Sequence, residues 1–414
     1  MTIDDTPTRI QAQRALEALR NGVPNADAVR ALGCMQPEAL DRYRSQLDAF
    51  AADSSPELPH GPGTLIAGDF GAGKSHTLSY FEQDALDRNF IVSRLVISKE
   101  TPLHDPAKLF LAAVRDARLP GSRGALLHEL ATRIDYTTEA AQSFASWAAT
   151  GQPSGMLGAS VFIHERSNDA ELKEEIVNWW SGDRLAVARV RAGLKDLGSP
   201  KAFDVKAVKQ ADLAPVRFEF VARFARALGF TGWVILLDEV ELMARYSLFQ
   251  RAKAYAELAR WIGGEREHGV PGVTAVAAIT DDFDIDVLQG RDDRNKAPAR
   301  MKAKGDPASV ATARLTVAGM KIIGRDAIRL HAPNDDTLAL SFLRLRELYR
   351  VAYDVDPRAD LPADTAVHRA MRSYVRRWIS EWDLDRLYPD RLHEAVDEAI
   401  DFDYDEDPDL GLSG

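Results

Sequence analysis

Gly68-Asp69-Phe70-Gly71-Ala72-Gly73-Lys74-Ser75 decides the fold of this 414-residue chain. The stretch fits the phosphate-binding pattern G-x-x-x-x-G-K-[ST], with Gly68, Gly73, Lys74 and Ser75 at the fixed positions. Thr64 to Ala67 before it reads as a short buried strand, and His76 to Phe81 after it reads as the start of a helix. Strand, loop and helix in that order aim backbone N–H groups and a helix N-terminus at a polyphosphate. Gly71 and Gly73 allow backbone angles that a Cβ would block. The pattern assigns Lys74 to the β- and γ-phosphates and the Ser75 hydroxyl to Mg²⁺, so ATP and Mg²⁺ are the expected cofactors, cradled by residues Gly68 to His76. An ordinary glycine-rich turn is the alternative, and the flanking strand and helix weigh against it.

A second half of the same site lies far downstream. Trp233 to Leu237 is an apolar run that closes on Asp238 and Glu239. It is too apolar for a half-exposed strand and suits a central parallel strand covered on both faces. Ligands of such sheets bind beyond the carboxyl ends of the strands, where the two acids fall. Asp238 is expected to bond the Mg²⁺ shell, and Glu239 to orient and deprotonate a water molecule. The plainer alternative is an acidic pair that closes a strand and caps the next helix. An acid beside the Mg²⁺ aspartate favours hydrolysis over transfer to an acceptor hydroxyl. Val273 to Thr280 reads as a further buried strand, with the terminal Thr280 as a γ-phosphate or water sensor and Asp281 as its substitute.

Composition sets the frame. Apolar residues make up 45% and charged ones 28%, a globular balance. Cys34 is the single cysteine, which excludes an intrachain disulfide and a cysteine metal cluster. The amino terminus has no basic and apolar signal pattern, and no apolar run approaches a bilayer's thickness, so a cytoplasmic protein with no membrane contact is expected. The net charge of −11 is concentrated: nine acids and no Lys or Arg lie between Glu394 and Asp409, which leaves −2 for the rest. That run reads as a solvated tail, with a docking peptide for a basic partner as the functional alternative. From Arg291 to Arg325 nine basic residues face three acids, a segment broken by Pro298, Gly305 and Pro307 and read as partly loop. Arg300, then Arg325, is the candidate for an arginine finger reaching a neighbour's γ-phosphate. DNA contact and a plain basic loop are the competing readings.

The fold class expected is α/β, a P-loop NTPase (AAA+/RecA-like) with a parallel sheet core, a helical N-terminal region, a helical insertion and a C-terminal helical lid. The boundaries are 1–60 for the N-terminal region, 61–334 for the core with an insertion at about 120–215, 335–393 for the lid and 394–414 for the acidic tail. The insertion follows from the 164 positions that separate Lys74 from Asp238, more than a compact P-loop domain needs. Among the lid arginines Arg369, Arg372, Arg376 and Arg377, Arg372 is the candidate γ-phosphate sensor.

Four segments carry a resemblance to one family: Ala18 to Asn25, Ala67 to His76, Ser98-Lys99-Glu100-Thr101-Pro102, and Val375 to Asp383. Together they resemble the BrxD-like P-loop ATP-binding proteins of bacteriophage-exclusion (BREX-type) defence loci, over residues 10 to 390. That family is similar to AAA+ ATPases of the origin-recognition type. The resemblance implies ATP and Mg²⁺, homo- or hetero-oligomers, and work beside other defence proteins that handle DNA. It matches Lys74 and Ser75 to the phosphate-loop pair, Asp238 and Glu239 to the Walker-B pair and Thr280 to the sensor. Two other functions stay open at this level: a nucleotide-gated assembly module with little hydrolysis, and a small-molecule phosphotransferase.

Overall fold

The structure, a computed structural model, describes residues 8–22, 25–52, 58–69, 71–122, 124–150, 154–264, 269–359 and 371–389. Phe70, Val23 and Pro24, Arg369 and the acidic tail lie outside the described residues. The chain begins with three helices, α1 (Arg9–Asn21), α2 (Ala26–Leu32) and α3 (Pro37–Ala52). Thr8 and Gln11 form a capping box at the start of α1, and the chain leaves it through Gly22 at φ 71°, a left-handed turn suited to glycine. Asn25 then caps α2 by accepting the Ala28 N–H.

The core alternates strands and helices: β1 (Thr64–Ala67), α4 (Lys74–Asp87), β2 (Ile91–Val96), α5 (Pro106–Arg115) and β3 (Ala117–Arg118). Five helices follow, α6 (Leu126–Arg133), α7 (Glu139–Ala149), α8 (Gly155–Arg166), α9 (Ala170–Ser181) and α10 (Val187–Asp196), and then α11 (Gln210–Ala227). The sheet resumes with β4 (Trp233–Asp238), α12 (Leu248–Ile262) and β5 (Val273–Ile279). Helices α13 (Asp293–Lys302) and α14 (Pro307–Lys321) lead to β6 (Ile328–Arg329), and α15 (Asp335–Tyr353) and α16 (Met371–Leu387) complete the described chain.

The strands lie in the order β3-β2-β4-β5-β1-β6. Every pair is parallel except β2 with β3, so the sheet is mixed rather than wholly parallel. Helix α5 ends at Arg115, and Ala117 and Arg118 pair with Ser93 and Val92 at the sheet edge. Alternate residues divide the sheet between two covers. Val92, Val234, Leu236 and Val276 pack with Phe81 of α4 and Tyr43 of α3. Ile91, Trp233, Ile235 and Ala275 pack with α5, α11 and α12 through Phe110, Phe218 and Tyr255. With both faces covered, β1, β4 and β5 are buried along their whole length.

The 291–325 segment, read as partly loop, is helical on either side of a short turn at 303–306, where Gly305 has φ 76°. It is two helices, with Pro298 buried inside α13 and Pro307 at the first turn of α14, where a missing N–H costs nothing. Burial of Ala297, Pro298 and Met301 overrides the local signal of Pro298. Helices α1 and α2 share one apolar core with α15 and α16, built on Leu16, Phe342, Trp378 and Trp382. Two of the segments that carry the family resemblance meet there: Arg20 pairs with Asp383 at 2.6 Å, and Arg376 donates to the Asn21 carbonyl at 2.9 Å.

Helices α7 and α9 pack on α11. Phe144 stacks on Phe224 at 4.9 Å, and Trp180 meets Phe224 edge-on at 5.7 Å. His164 belongs to this cluster, with its Nδ1 3.0 Å from the Tyr136 hydroxyl and its ring 4.9 Å from Trp180. Burial, aided by Lys173, lowers its pKa to about 4. The unfolded chain takes up that proton first as pH falls below the ordinary histidine value. This contribution to stability is therefore complete above that value and is lost as pH falls toward 4. The unfolding free energy from denaturant titration is expected to drop by about 2 kcal/mol from this group between pH 7 and pH 5, and the drop should shrink in His164→Gln. An equal drop in the variant would remove His164 as the cause.

Candidate functional site

The carboxyl ends of β1, β4 and β5 open onto one edge of the sheet, where doubly wound folds bind ligands. The glycine loop leaves β1 with the Gly68 N–H donating to the Ile279 carbonyl at 3.1 Å, which ties the loop to the tip of β5. Gly71 and Gly73 are left-handed, at φ 86° and 92°, so a side chain at either would be strained. Gly73 stands at the N-terminus of α4, and its carbonyl takes the first helical bond, from Thr77, at 2.8 Å. The first-turn N–H groups of α4 therefore face the loop, a ready anion site. Lys74 folds back onto the loop: its Nζ donates to the carbonyls of Gly68 at 2.6 Å and Asp69 at 3.3 Å. Ser75 is exposed beside it. His76 does not turn toward the loop; its half-buried ring donates Nε2–H to the Gly33 carbonyl at 2.9 Å, and burial lowers its pKa. That carbonyl closes α2, and Arg344 of α15 donates to the neighbouring Leu32 carbonyl, so the N-terminal helices and the last helices meet at the base of the phosphate-loop helix.

Asp238 ends β4 as a buried carboxylate. Its Oδ2 accepts from Arg94 Nη2 at 2.7 Å and its Oδ1 from the Glu239 N–H at 3.1 Å. The same Arg94 nitrogen lies 3.4 Å from the Ser75 carbonyl, so the carboxylate oxygen and the start of α4 are no more than about 6 Å apart. The two parts of the expected site, 163 positions apart in sequence, are neighbours in space. Glu239 takes a left-handed conformation at φ 56° and its side chain is exposed. This turn leads into a 3₁₀ segment, Val240–Arg245, and brings a third acid to the site. Glu241 lies within electrostatic reach of Lys74, Asp238 and Glu239. Its Oε2 is buried without a hydrogen-bond partner among the described residues. Burial raises its pKa first of all, Lys74 pulls it back, and the two neighbouring acids push it further up.

Thr280 is buried at the tip of β5. With Asp281, Asp284, Arg325 and Arg329 it lines a cavity of about 70 Å³ that reaches Ala67 at the end of β1. Asp281 Oδ1 is a second buried acceptor with no partner among the described residues. Arg325 thus belongs to the edge of this chain's own sheet, whereas Arg300 is exposed on α13. Arg372 is exposed on α16 with its Cδ against Gly22, at the end of α1. The structure thus brings together Gly68, Asp69, Gly71, Ala72, Gly73, Lys74, Ser75, Asp238 and Glu239, and sets Thr280 on the adjacent strand tip. The contacts of His76 and Arg372 point to α2 and α1 instead.

Two residues of the site escape a motif reading. Arg94 announces itself only as a cation inside the apolar strand Ile91–Val96, and Glu241 as the third acid of Asp238-Glu239-Val240-Glu241. The donor set suits magnesium. Among the described residues no group of three or more ligating side chains forms a cage, and Mg²⁺ commonly needs one or two side chains beside phosphates and water. Glu241 Oε2, within electrostatic reach of Asp238 and without a partner among the described residues, fits a donor of a hydration shell. Ser75 and Asp238 would hold the ion.

A mixed, mostly parallel sheet with a glycine-lysine loop entering a helix at its carboxyl edge is an α/β fold consistent with the P-loop NTPases. The chain matches the BREX system ATP-binding protein BrxC/D family over residues 9–119 and 156–381 and belongs to that family. No curated protein and no solved structure matches it. The matched residues include the phosphate loop, Asp238 and Glu239, and the Arg376–Asn21 contact. Among the described residues no helix is long and apolar enough to cross a membrane.

Proposed function

We propose that this BREX ATP-binding protein is a Mg²⁺-dependent ATPase, an AAA+-like motor or switch of a cytoplasmic defence complex that acts on DNA. The observation that carries the reading is the approach of the Asp238 carboxylate to the start of α4, joined through Arg94. A sensor strand between the phosphate-loop strand and the acidic strand, in the order β4-β5-β1, supports the AAA+-like assignment. Bound Mg²⁺ would neutralise phosphate charge and orient the β- and γ-phosphates. Lys74 exchanges the Gly68 and Asp69 carbonyls for phosphate oxygens. Glu239 takes a proton from a water molecule as its oxygen bonds to the γ-phosphorus and the bond to the ADP oxygen breaks. Thr280 reports the γ-phosphate, Arg300 serves a neighbouring subunit, and Arg372 is the lid sensor if the lid swings from α1 on binding. DNA contact through 291–325 is part of the reading; affinity there should fall steeply with salt.

Phosphate release from γ-labelled ATP, with and without DNA, tests it. Glu239→Gln should keep ATP binding and lose about a hundredfold or more of the release rate. Label passing to a third molecule would make the protein a phosphotransferase. The exposure of Glu239 favours a second reading, a nucleotide-gated assembly module with little turnover. An unchanged slow rate in Glu239→Gln, with defence retained, would establish that second reading and end the first.

A further inference from the structure

The acidic strand tip does not stand alone; it is paired with a fixed cation. Arg94 and Asp238 lie on the same face of adjacent parallel strands, because Arg94 registers with Leu236 and Val96 with Asp238. That face is the one covered by α4. The guanidinium is held at three points: Nη2 to Asp238 Oδ2 at 2.7 Å, Nη1 to Ser79 Oγ at 2.6 Å, and Nη2 to the Ser75 carbonyl at 3.4 Å. Ser79 in turn donates to the Ser75 carbonyl at 2.8 Å. The pair is largely shielded, with side-chain exposures of 26% for Arg94 and 6% for Asp238. A cation is thus built in next to the two residues assigned to Mg²⁺, Ser75 and Asp238.

We propose that Arg94 is a positioning residue that sets how strongly nucleotide binding depends on Mg²⁺; this rests on the ATP–Mg²⁺ reading above. A buried Asp238 without a counter-charge would repel a polyphosphate until a divalent ion arrived to screen it. With Arg94 bonded to one carboxylate oxygen, that repulsion is already offset, and ATP can enter without the metal. The same positive charge opposes the incoming divalent ion. Both effects narrow the gap between metal-free and metal-loaded binding. Arg94 acts through the carboxylate that it holds.

The test is the ratio of the ATP dissociation constant in chelator to that in excess Mg²⁺, measured by calorimetry or a fluorescent ATP analogue on the full chain. Arg94→Gln should raise the ratio about tenfold over wild type, chiefly by weakening metal-free binding. Arg94→Lys, which keeps a charge, should return it most of the way. General damage to the fold weakens binding in both conditions and leaves the ratio where it was. An unchanged ratio in Arg94→Gln overturns the proposal while the ATP reading stands. A rise of equal size in Arg94→Lys also overturns it, since charge would then not be the cause. A wild-type chain that binds no ATP in either condition ends both readings together.

Discussion

Lys74→Met is expected to abolish stabilisation by nucleotide and to cut ATP turnover by about a hundredfold or more. Without nucleotide the ammonium is satisfied by two carbonyls of its own loop, Gly68 and Asp69. It is therefore stored beside the place where phosphate oxygens will sit and needs only a side-chain rotation to reach them. Methionine retains most of the apolar stem, which is buried against the loop; the charge and its hydrogen bonds to the two carbonyls are lost. Wild type with ATP at a hundred times its dissociation constant should gain about 2.7 kcal/mol, read as a shift in thermal unfolding. The variant should show almost none. A full shift in Lys74→Met would mean that phosphate is held elsewhere and that the loop assignment is wrong.

Asp293→Ala should be the most destabilising single change near the site, at about 3–5 kcal/mol. Asp293 is fully buried and takes three strong hydrogen bonds, from Arg251 Nε at 2.6 Å, Arg251 Nη2 at 2.7 Å and the Tyr255 hydroxyl at 2.7 Å. Tyr255 is held protonated, first by burial and then by that bond. Truncation strands the Arg251 guanidinium in the interior, with only the Tyr246 carbonyl left at 2.7 Å. The aspartate also fixes the entry to α13 just after Asp292, which is left-handed at φ 58°. Denaturant unfolding gives the magnitude, and hydrogen exchange should rise first in 291–303. A loss below about 1 kcal/mol would show that the triad relaxes without cost, unlike most buried ion pairs.

Short apolar runs flanked by turn residues made the sheet strands legible. Thr64–Ala67 and Trp233–Asp238 are found with the expected bounds or within one residue of them. The edge strand at Ala117 was not legible, because two residues carry no period of their own and pair only when β2 is in place. Pro298 misleads for a related reason: local chemistry argues for a break, and burial of the helix face outweighs it. In the site itself the motif pattern specifies the loop and the acid pair. It is blind to Arg94 and Glu241, whose importance is a matter of which side chains converge on one carboxylate.

The amino-acid sequence by itself determined the α/β class, the phosphate loop, the acidic strand end and the family, because each is a local pattern of residue types at fixed spacing. Only the tertiary structure decided that α1 and α2 close a core with α15 and α16, that Asp238 is already neutralised by a cation, and that Arg372 rests on α1. Those are contacts between positions far apart in the chain, set by strand order and by the burial of apolar faces, and no local spacing encodes them.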